Sequence, residues 1–240
     1  MATFSCELKS GRNAYAQSRY ITGLVGKEKK SEVMCAEFIG APDWAEGSAS
    51  AFWRAADKGE RRNGAAFREL VIALPAELGL EAQRDLVLDI AHRCLGPKTC
   101  EFAIHHKQAS IGESPQPHVH LMYSDRLPDE HVRPPSQYFR RYNPDQPAKG
   151  GCKKDSGGKT PVEVPLAMRS LRQQVAESIN DALEKAGHSA RVDPRSYRER
   201  GSDRIAEPHF GNVAISRMSE ADRAAIRAAR AGQGLLQEGT

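Results

Sequence analysis

Hydrophobic positions recur along the chain with two different periods. Phe67 to Pro75 (Phe-Arg-Glu-Leu-Val-Ile-Ala-Leu-Pro) is a nearly continuous apolar run closed by proline, which predicts a central strand. Residues 100–106 and 118–124 predict two more strands, neighbours in sequence and therefore an antiparallel pair, joined by a loop over 107–117. Residues 2–8 alternate weakly and predict a first strand, punctuated by Gly11-Arg12-Asn13. Elsewhere the period is helical. Ala14, Gln17, Ile21 and Leu24 predict a helix over 14–24, ended by Gly23 and Gly26. Phe52, Trp53 and Ala56 mark a second over 49–61, and Leu86, Val87 and Ile90 a third over 81–95, stopped by Gly96-Pro97. A long amphipathic helix over 166–186 ends at Gly187, and a highly charged one covers 219–231. Between them, residues 143–165 are rich in Gly, Pro and Lys and predict a mobile loop inside a domain.

The elements together predict an α/β fold: a mostly antiparallel central sheet of about five strands with helices packed on it. Residues 1–217 form one domain in this reading, and 218–240 a charged helical tail that starts a linker. With 39% hydrophobic residues among 240, the chain holds enough apolar material for a core.

Charge adds a location rather than a class, since the formal net charge is only +4. From Arg126 to Lys159 the basic residues are Arg126, Arg133, Arg140, Arg141, Lys149, Lys153, Lys154 and Lys159, opposed by Asp129, Glu130, Asp145 and Asp155. That local excess equals the net charge of the whole chain and suits a polyanion. The five cysteines are odd in number and form no CxxC pair, so they suggest neither a disulfide framework nor a cysteine zinc site. With no apolar signal region and no apolar run of about 18 residues, the expectation is a cytoplasmic protein without membrane insertion.

The sharpest local feature is Pro117-His118-Val119-His120-Leu121-Met122. On a strand, side chains two apart share a face, so His118 and His120 project together while Val119 and Leu121 pack beneath. His105 and His106 stand on the preceding strand, and one of them can join that face. Three imidazoles from two strands leave coordination positions open, as a catalytic metal site requires. Imidazole donors suit Zn, Mn, Ni or Cu better than Mg, and the alternative is a set of surface histidines that only hydrogen-bond.

Tyr15 and Tyr20 lie on the first predicted helix. A phenol can attack phosphorus and form a covalent intermediate, given help in losing its proton. Glu69 interrupts an apolar strand and must be paired or face a polar cavity. It can take the tyrosine proton, orient a metal-bound histidine, or pair with Arg68 or Arg62. Asp57 and Glu60 are weaker carboxylate candidates on a helix face.

These residues carry a resemblance. The chain resembles the MobA/MobL family of plasmid mobilisation relaxases, within the HUH endonuclease group, from Gly11 to about Asn212. Gly11 through Tyr20, with Ala14 and Ala16, is similar to the family's nucleophile helix, whose catalytic tyrosine falls on Tyr20. Trp53-Arg54-Ala55-Ala56-Asp57, Glu60-Arg61-Arg62-Asn63-Gly64 and Phe67-Arg68-Glu69 leading to Ala73-Leu74-Pro75 also match. Phe102-Ala103-Ile104-His105 and Pro117 to Met122 resemble the strand pair that holds the metal, which selects His105 as third ligand with His106 in reserve. Arg133-Pro134, Phe139-Arg140-Arg141-Tyr142-Asn143, Lys149-Gly150-Gly151, Asn180 to His188 and Pro208-His209-Phe210-Gly211 complete it.

The resemblance implies a DNA relaxase that nicks one strand of transfer-origin DNA through Tyr20 and keeps it as a 5'-phosphotyrosine for conjugative mobilisation. Residues 1–217 would then be the nicking domain. His105, His118 and His120 would hold a divalent ion, Mn or Mg ahead of Zn, Ni or Cu, with Glu69 at the catalytic site. Arg140, Arg141, Lys149, Lys153 and Lys154 would contact single-stranded or melted DNA, with Tyr138 and Tyr142 stacking on bases or filling the core. Accessory mobilisation proteins and a coupling protein are the implied partners, and family members often carry a helicase or primase segment further on. The competing expectations are a replication initiator or transposase of the same group, and a DNA-binding module without catalysis.

Overall fold

The computed structural model describes residues 4–25, 32–108, 115–201 and 217–235. They fall into two units, residues 1–106 with 117–194 and residues 107–116 with 195–240. The first unit is built on a sheet of five strands: β1 (Cys6–Gly11), β2 (Val33–Ile39), β3 (Phe67–Ala73), β4 (Cys100–Gln108) and β5 (Pro115–Tyr123), in the order β1-β3-β5-β4-β2. The pairs β1–β3, β3–β5 and β2–β4 are antiparallel. The α/β class and the antiparallel sheet expected from the sequence are therefore present.

Helices cover both faces of the sheet, so its central strands carry buried apolar residues on both sides. On one face Leu70, Ile72, Phe102, Ile104, Val119 and Leu121 pack under α3 (Leu80–Ile90) and α5 (Glu163–Lys185). On the other, Ala103, Met122 and Phe67 meet α1 (Ala14–Ile21) and α2 (Ala49–Gly59), through Ala14, Ile21, Phe52, Trp53 and Ala56. Tyr138 of the short α4 (Pro135–Tyr138) and Phe139 belong to this second core and close on Trp44 and Phe52. Tyr138 is thus a core residue, and the sequence alternative of base stacking is not what its burial allows.

Several boundaries differ from the sequence expectation. β1 runs to Gly11, where a Cβ would sit 2.7 Å from the Phe67 ring. α1 stops at Ile21, and Gly23 turns the chain with φ 71°, leaving Leu24 exposed beyond the helix. β2 escaped the sequence expectation: it is an edge strand with Met34 and Ala36 exposed and its other residues half-buried, Glu37 paired to Arg84 and a register shift between Val33 and Cys35, so no clean alternation marks it. Residues 2–3, Gly26, the centre of the 107–117 loop and Pro208 to Gly211, which enter the sequence expectations, lie outside the described residues.

The expected mobile loop over 143–165 is a correction. Strand β7 (Lys153–Lys154) pairs with β6 (Arg126–Leu127), and two arginines pin what lies between. Arg126 donates to the carbonyls of Phe139 (2.6 Å), Arg140 (2.7 Å) and Cys152 (2.5 Å), and bidentately to Glu60 (2.8 and 3.0 Å). Arg133 donates to the carbonyls of Pro147 and Gly150, both at 3.0 Å, and pairs with Asp129. Gly151 lies so close to the Arg140 carbonyl that a Cβ would be 2.2 Å away. Gly- and Lys-rich composition signals mobility only where the backbone has no partners, and here buried guanidinium groups supply them. In the second unit, α6 spans Glu220–Leu235. Among the described residues no helix is long and apolar enough to cross a membrane.

Candidate functional site

The register of β3 and β5 sets Ala73 opposite His118, Val71 opposite His120 and Glu69 opposite Met122. Strand alternation therefore turns Glu69, His118 and His120 to one face, the face under α1 and α2. His105 on β4 shares it. The three imidazole rings stand 4.8 to 5.3 Å apart between centroids, and one ligand nitrogen from each lies within 4.8 Å of the others.

The ring nitrogens are divided between protein and ion. His120 Nδ1 lies 2.5 Å from Glu69 Oε1, which leaves Nε2 for a ligand. His105 Nε2 meets the Ile21 carbonyl at 2.6 Å, which leaves Nδ1. Carboxylate and carbonyl partners of this kind fix the ring and its tautomer, as they do around metal-bound histidines. Three neutral donors on one side of a point leave coordination positions open, so the residues present fit a divalent ion. His106 points to the opposite face and binds Gln83 Oε1 of α3 at 2.8 Å, apart from the cluster. Gln83 is held in turn by the Pro75 and Leu78 carbonyls.

Glu69 is 2% exposed, and both its oxygens are engaged, one by His120 and the other by Gln17 Nε2 at 2.9 Å. Its neighbour Arg68 turns away to Asp125 at 3.3 Å, so the alternative of a Glu69–Arg68 pair is absent. Glu69→Ala is expected to weaken binding of Mn2+ about 10- to 100-fold, read by competition with a fluorescent chelator. An unchanged affinity would remove Glu69 from the site.

Helix α1 is eight residues long, too short to stand alone, and is held at both ends and in the middle. Asp57 of α2 caps its N-terminus, accepting from Ala14 N (2.6 Å) and Tyr15 N (3.0 Å). Ser18 bonds Glu101 of β4, whose other partner is Trp53 Nε1 at 2.7 Å. Burial pushes the Glu101 carboxyl above its usual range, and these two donors pull it back. Gln17 reaches Glu69, and the Ile21 carbonyl reaches His105. Tyr20 occupies the last turn, 41% exposed, one residue before that carbonyl. Tyr15 is engaged elsewhere: its hydroxyl accepts from Arg54 Nη2 at 2.7 Å, with the guanidinium carbon 3.9 Å from the ring centroid.

Gln17, Ser18 and Glu101 escaped the sequence reading. Glu101 had a signal, a carboxylate two and four residues before Ala103 and His105 on the same strand face. Gln17 and Ser18 had none beyond their place between two tyrosines.

The predicted DNA-contact residues separate into two groups. Arg141, Lys149 and Lys153 are exposed. Arg140 is exposed too but donates Nε to the Ser136 carbonyl at 2.9 Å. Lys154 is half-buried, its ammonium held by Glu60 (3.0 Å) and the Ala65 carbonyl (2.9 Å). Arg126 and Arg133, counted in the basic run, are structural.

The MobA/MobL family profile matches residues 21–220, beginning one residue after Tyr20. The chain is 36% identical over 209 residues to the 43 kDa relaxation protein of Salmonella typhimurium, covering 85% of this chain and 56% of that one. It is 37% identical over 220 residues to mobilization protein A of Escherichia coli, covering 88% of this chain and 30% of the relative. The chain thus spans about half the length of the first and under a third of the second. A solved structure described as the molecular basis of vancomycin resistance transfer in Staphylococcus aureus shares the fold, with TM-score 0.60, 22% identity, and coverage of 82% of this chain and 100% of that one. Shared sequence across most of its length leaves one assignment: the chain belongs to the MobA/MobL family.

Proposed function

We propose that the chain is the nicking domain of a plasmid DNA relaxase. It cuts one strand of single-stranded or melted transfer-origin DNA by transesterification onto Tyr20, for conjugative mobilisation. The observation that carries this reading is the double tie between the tyrosine helix and the histidine cluster. Ile21 holds His105 through its carbonyl, and Gln17 holds Glu69, which holds His120. The helix that carries Tyr20 and two of the three imidazoles are thereby tied into one small assembly, as near-attack positioning requires.

In the step, Tyr20 Oη forms a bond to phosphorus as the bond from phosphorus to the 3' oxygen breaks. The phenol gives up its proton, and the departing 3' oxygen gains one. A divalent ion on His105, His118 and His120 would supply positive charge at the scissile phosphate. Glu69, with both oxygens engaged, acts by orienting His120 rather than as the base for the phenol. One phosphodiester replaces another of similar energy, so the strand can be rejoined after transfer.

The relation to a relaxation protein and a mobilisation protein supports this reading over a replication initiator or transposase. Residues 1–217 form the nicking domain and 218–240 a charged helical tail. Accessory mobilisation proteins and a coupling protein are the partners, in the cytoplasm. The test is denaturing electrophoresis of the chain with labelled oligonucleotides tiling the transfer origin of its plasmid. A slow-migrating covalent band is expected with Mn2+, absent with excess chelator and restored by added metal. Failure to form it with any divalent ion sinks the proposal.

A further inference from the structure

Where α2 ends at Gly59, the chain beyond it meets β6, β7 and the backbone at residues 141–142 around a cavity of about 330 Å³. That volume is at the lower end of small-ligand sites. Its lining includes Arg61, Arg126, Arg141, Tyr142, Lys153 and Lys154. Two of these cations belong to the wall. Arg126 and Lys154 share the buried Glu60 carboxylate, and Arg126 also holds three carbonyls.

The other three are different. Among the described residues, no side-chain hydrogen bond or ion pair engages Arg61, Arg141 or Lys153. Three cationic groups without counter-charge, gathered on one concavity, repel one another and concentrate a positive field there. An anion entering the cavity relieves that repulsion. Tyr142 lies half-buried in the same lining and stacks on no other ring of the described residues. The walls are stiff, because the main chain behind them is fixed by Arg126 and by the close approach of Gly151 to Arg140.

We propose that this cavity holds one nucleotide of the single DNA strand, its phosphate among Arg61, Arg141 and Lys153 and its base on the ring of Tyr142. The choice of DNA as polymer rests on the relaxase reading; the binding of a nucleotide rests on the cavity. A single strand fits better than a duplex, since an unpaired base offers a free face to an aromatic ring and a paired one does not. Arg61 enters as a contact residue that charge counting over 126–159 did not include. Arg140 and Lys149, which that counting did include, lie outside the lining.

The test measures fluorescence anisotropy of a labelled oligothymidylate with the whole chain over a series of KCl concentrations. Arg61→Ala, Arg141→Ala and Lys153→Ala should each weaken binding several-fold and reduce the slope of log affinity against log salt by about 0.7. Tyr142→Ala should weaken it about tenfold with little change of slope, and Tyr142→Phe should restore it. Arg93→Ala, which removes a charge from the opposite helical layer, is the control and should match wild type. The substituted side chains are exposed or half-buried, and melting temperatures check that each variant folds. Cation variants binding within twofold of wild type with unchanged slope overturn the site. Full affinity in Tyr142→Ala overturns the nucleotide in favour of a bare phosphate, and tighter binding of oligouridylate overturns DNA. Covalent adduct is scored separately. Weakened variants with no adduct in wild type leave the cavity standing and the relaxase reading lost, and the converse pattern does the reverse.

Discussion

Tyr20→Phe is expected to abolish covalent attachment to DNA, by at least about 10³-fold, while leaving noncovalent binding within about twofold. The change removes one oxygen and nothing else. Tyr20 is 41% exposed, so no core packing is lost, and the helix keeps its ties through Asp57, Glu69, Glu101 and His105. Adduct is read on denaturing gels and binding by anisotropy on the same preparations. Tyr15→Phe should retain the adduct, because that hydroxyl is already occupied by Arg54. Covalent product persisting in Tyr20→Phe and vanishing in Tyr15→Phe would reassign the nucleophile.

The largest loss of stability is expected from Arg126→Ala. Its guanidinium is buried and serves five acceptors from four residues. Truncation strands the Glu60 carboxylate, left with Lys154 alone, and leaves the carbonyls of Phe139, Arg140 and Cys152 without their donor. Removing one partner of a buried pair costs about 3–5 kcal/mol, which lowers the melting temperature of a domain this size by roughly 10 °C. Arg126→Lys should recover little, since one ammonium cannot reproduce the planar fork. Arg126→Met with Glu60→Gln should recover part, because the stranded charge goes but the carbonyls stay unpaired. A fall of less than about 3 °C in Arg126→Ala would mean that water reaches these groups and that the clamp matters little.

The sequence showed best what period controls. The alternation around His118 and His120 put both rings on one face, and the apolar run around Leu70 and Ile72 marked the central strand, as the sheet register shows. It failed where a partner far along the chain decides the outcome. The edge strand β2 needs no alternation, because only its pairing to β4 makes it a strand. Charge counting could not tell Arg126 and Arg133, consumed by carbonyls, from Arg141 and Lys153, which face a cavity. Nor could it find Gln17 and Ser18, whose meaning comes from carboxylates on β3 and β4. The histidine cluster was legible as residue types, while the nitrogens left for an ion depend on the Ile21 carbonyl and Glu69, which only the fold brings there.

The segment from Phe139 to Lys154 owes its shape to main-chain carbonyls, two internal arginines and a glycine with no room for a side chain. The side chains of Arg141, Tyr142 and Lys153 make no hydrogen bond that supports that shape among the described residues. Relatives are therefore at liberty to exchange Arg141, Tyr142 or Lys153 without endangering the architecture. On the proposed reading, the grip on a DNA strand can strengthen or weaken by surface exchange alone, with the fold and the histidine cluster left as they were.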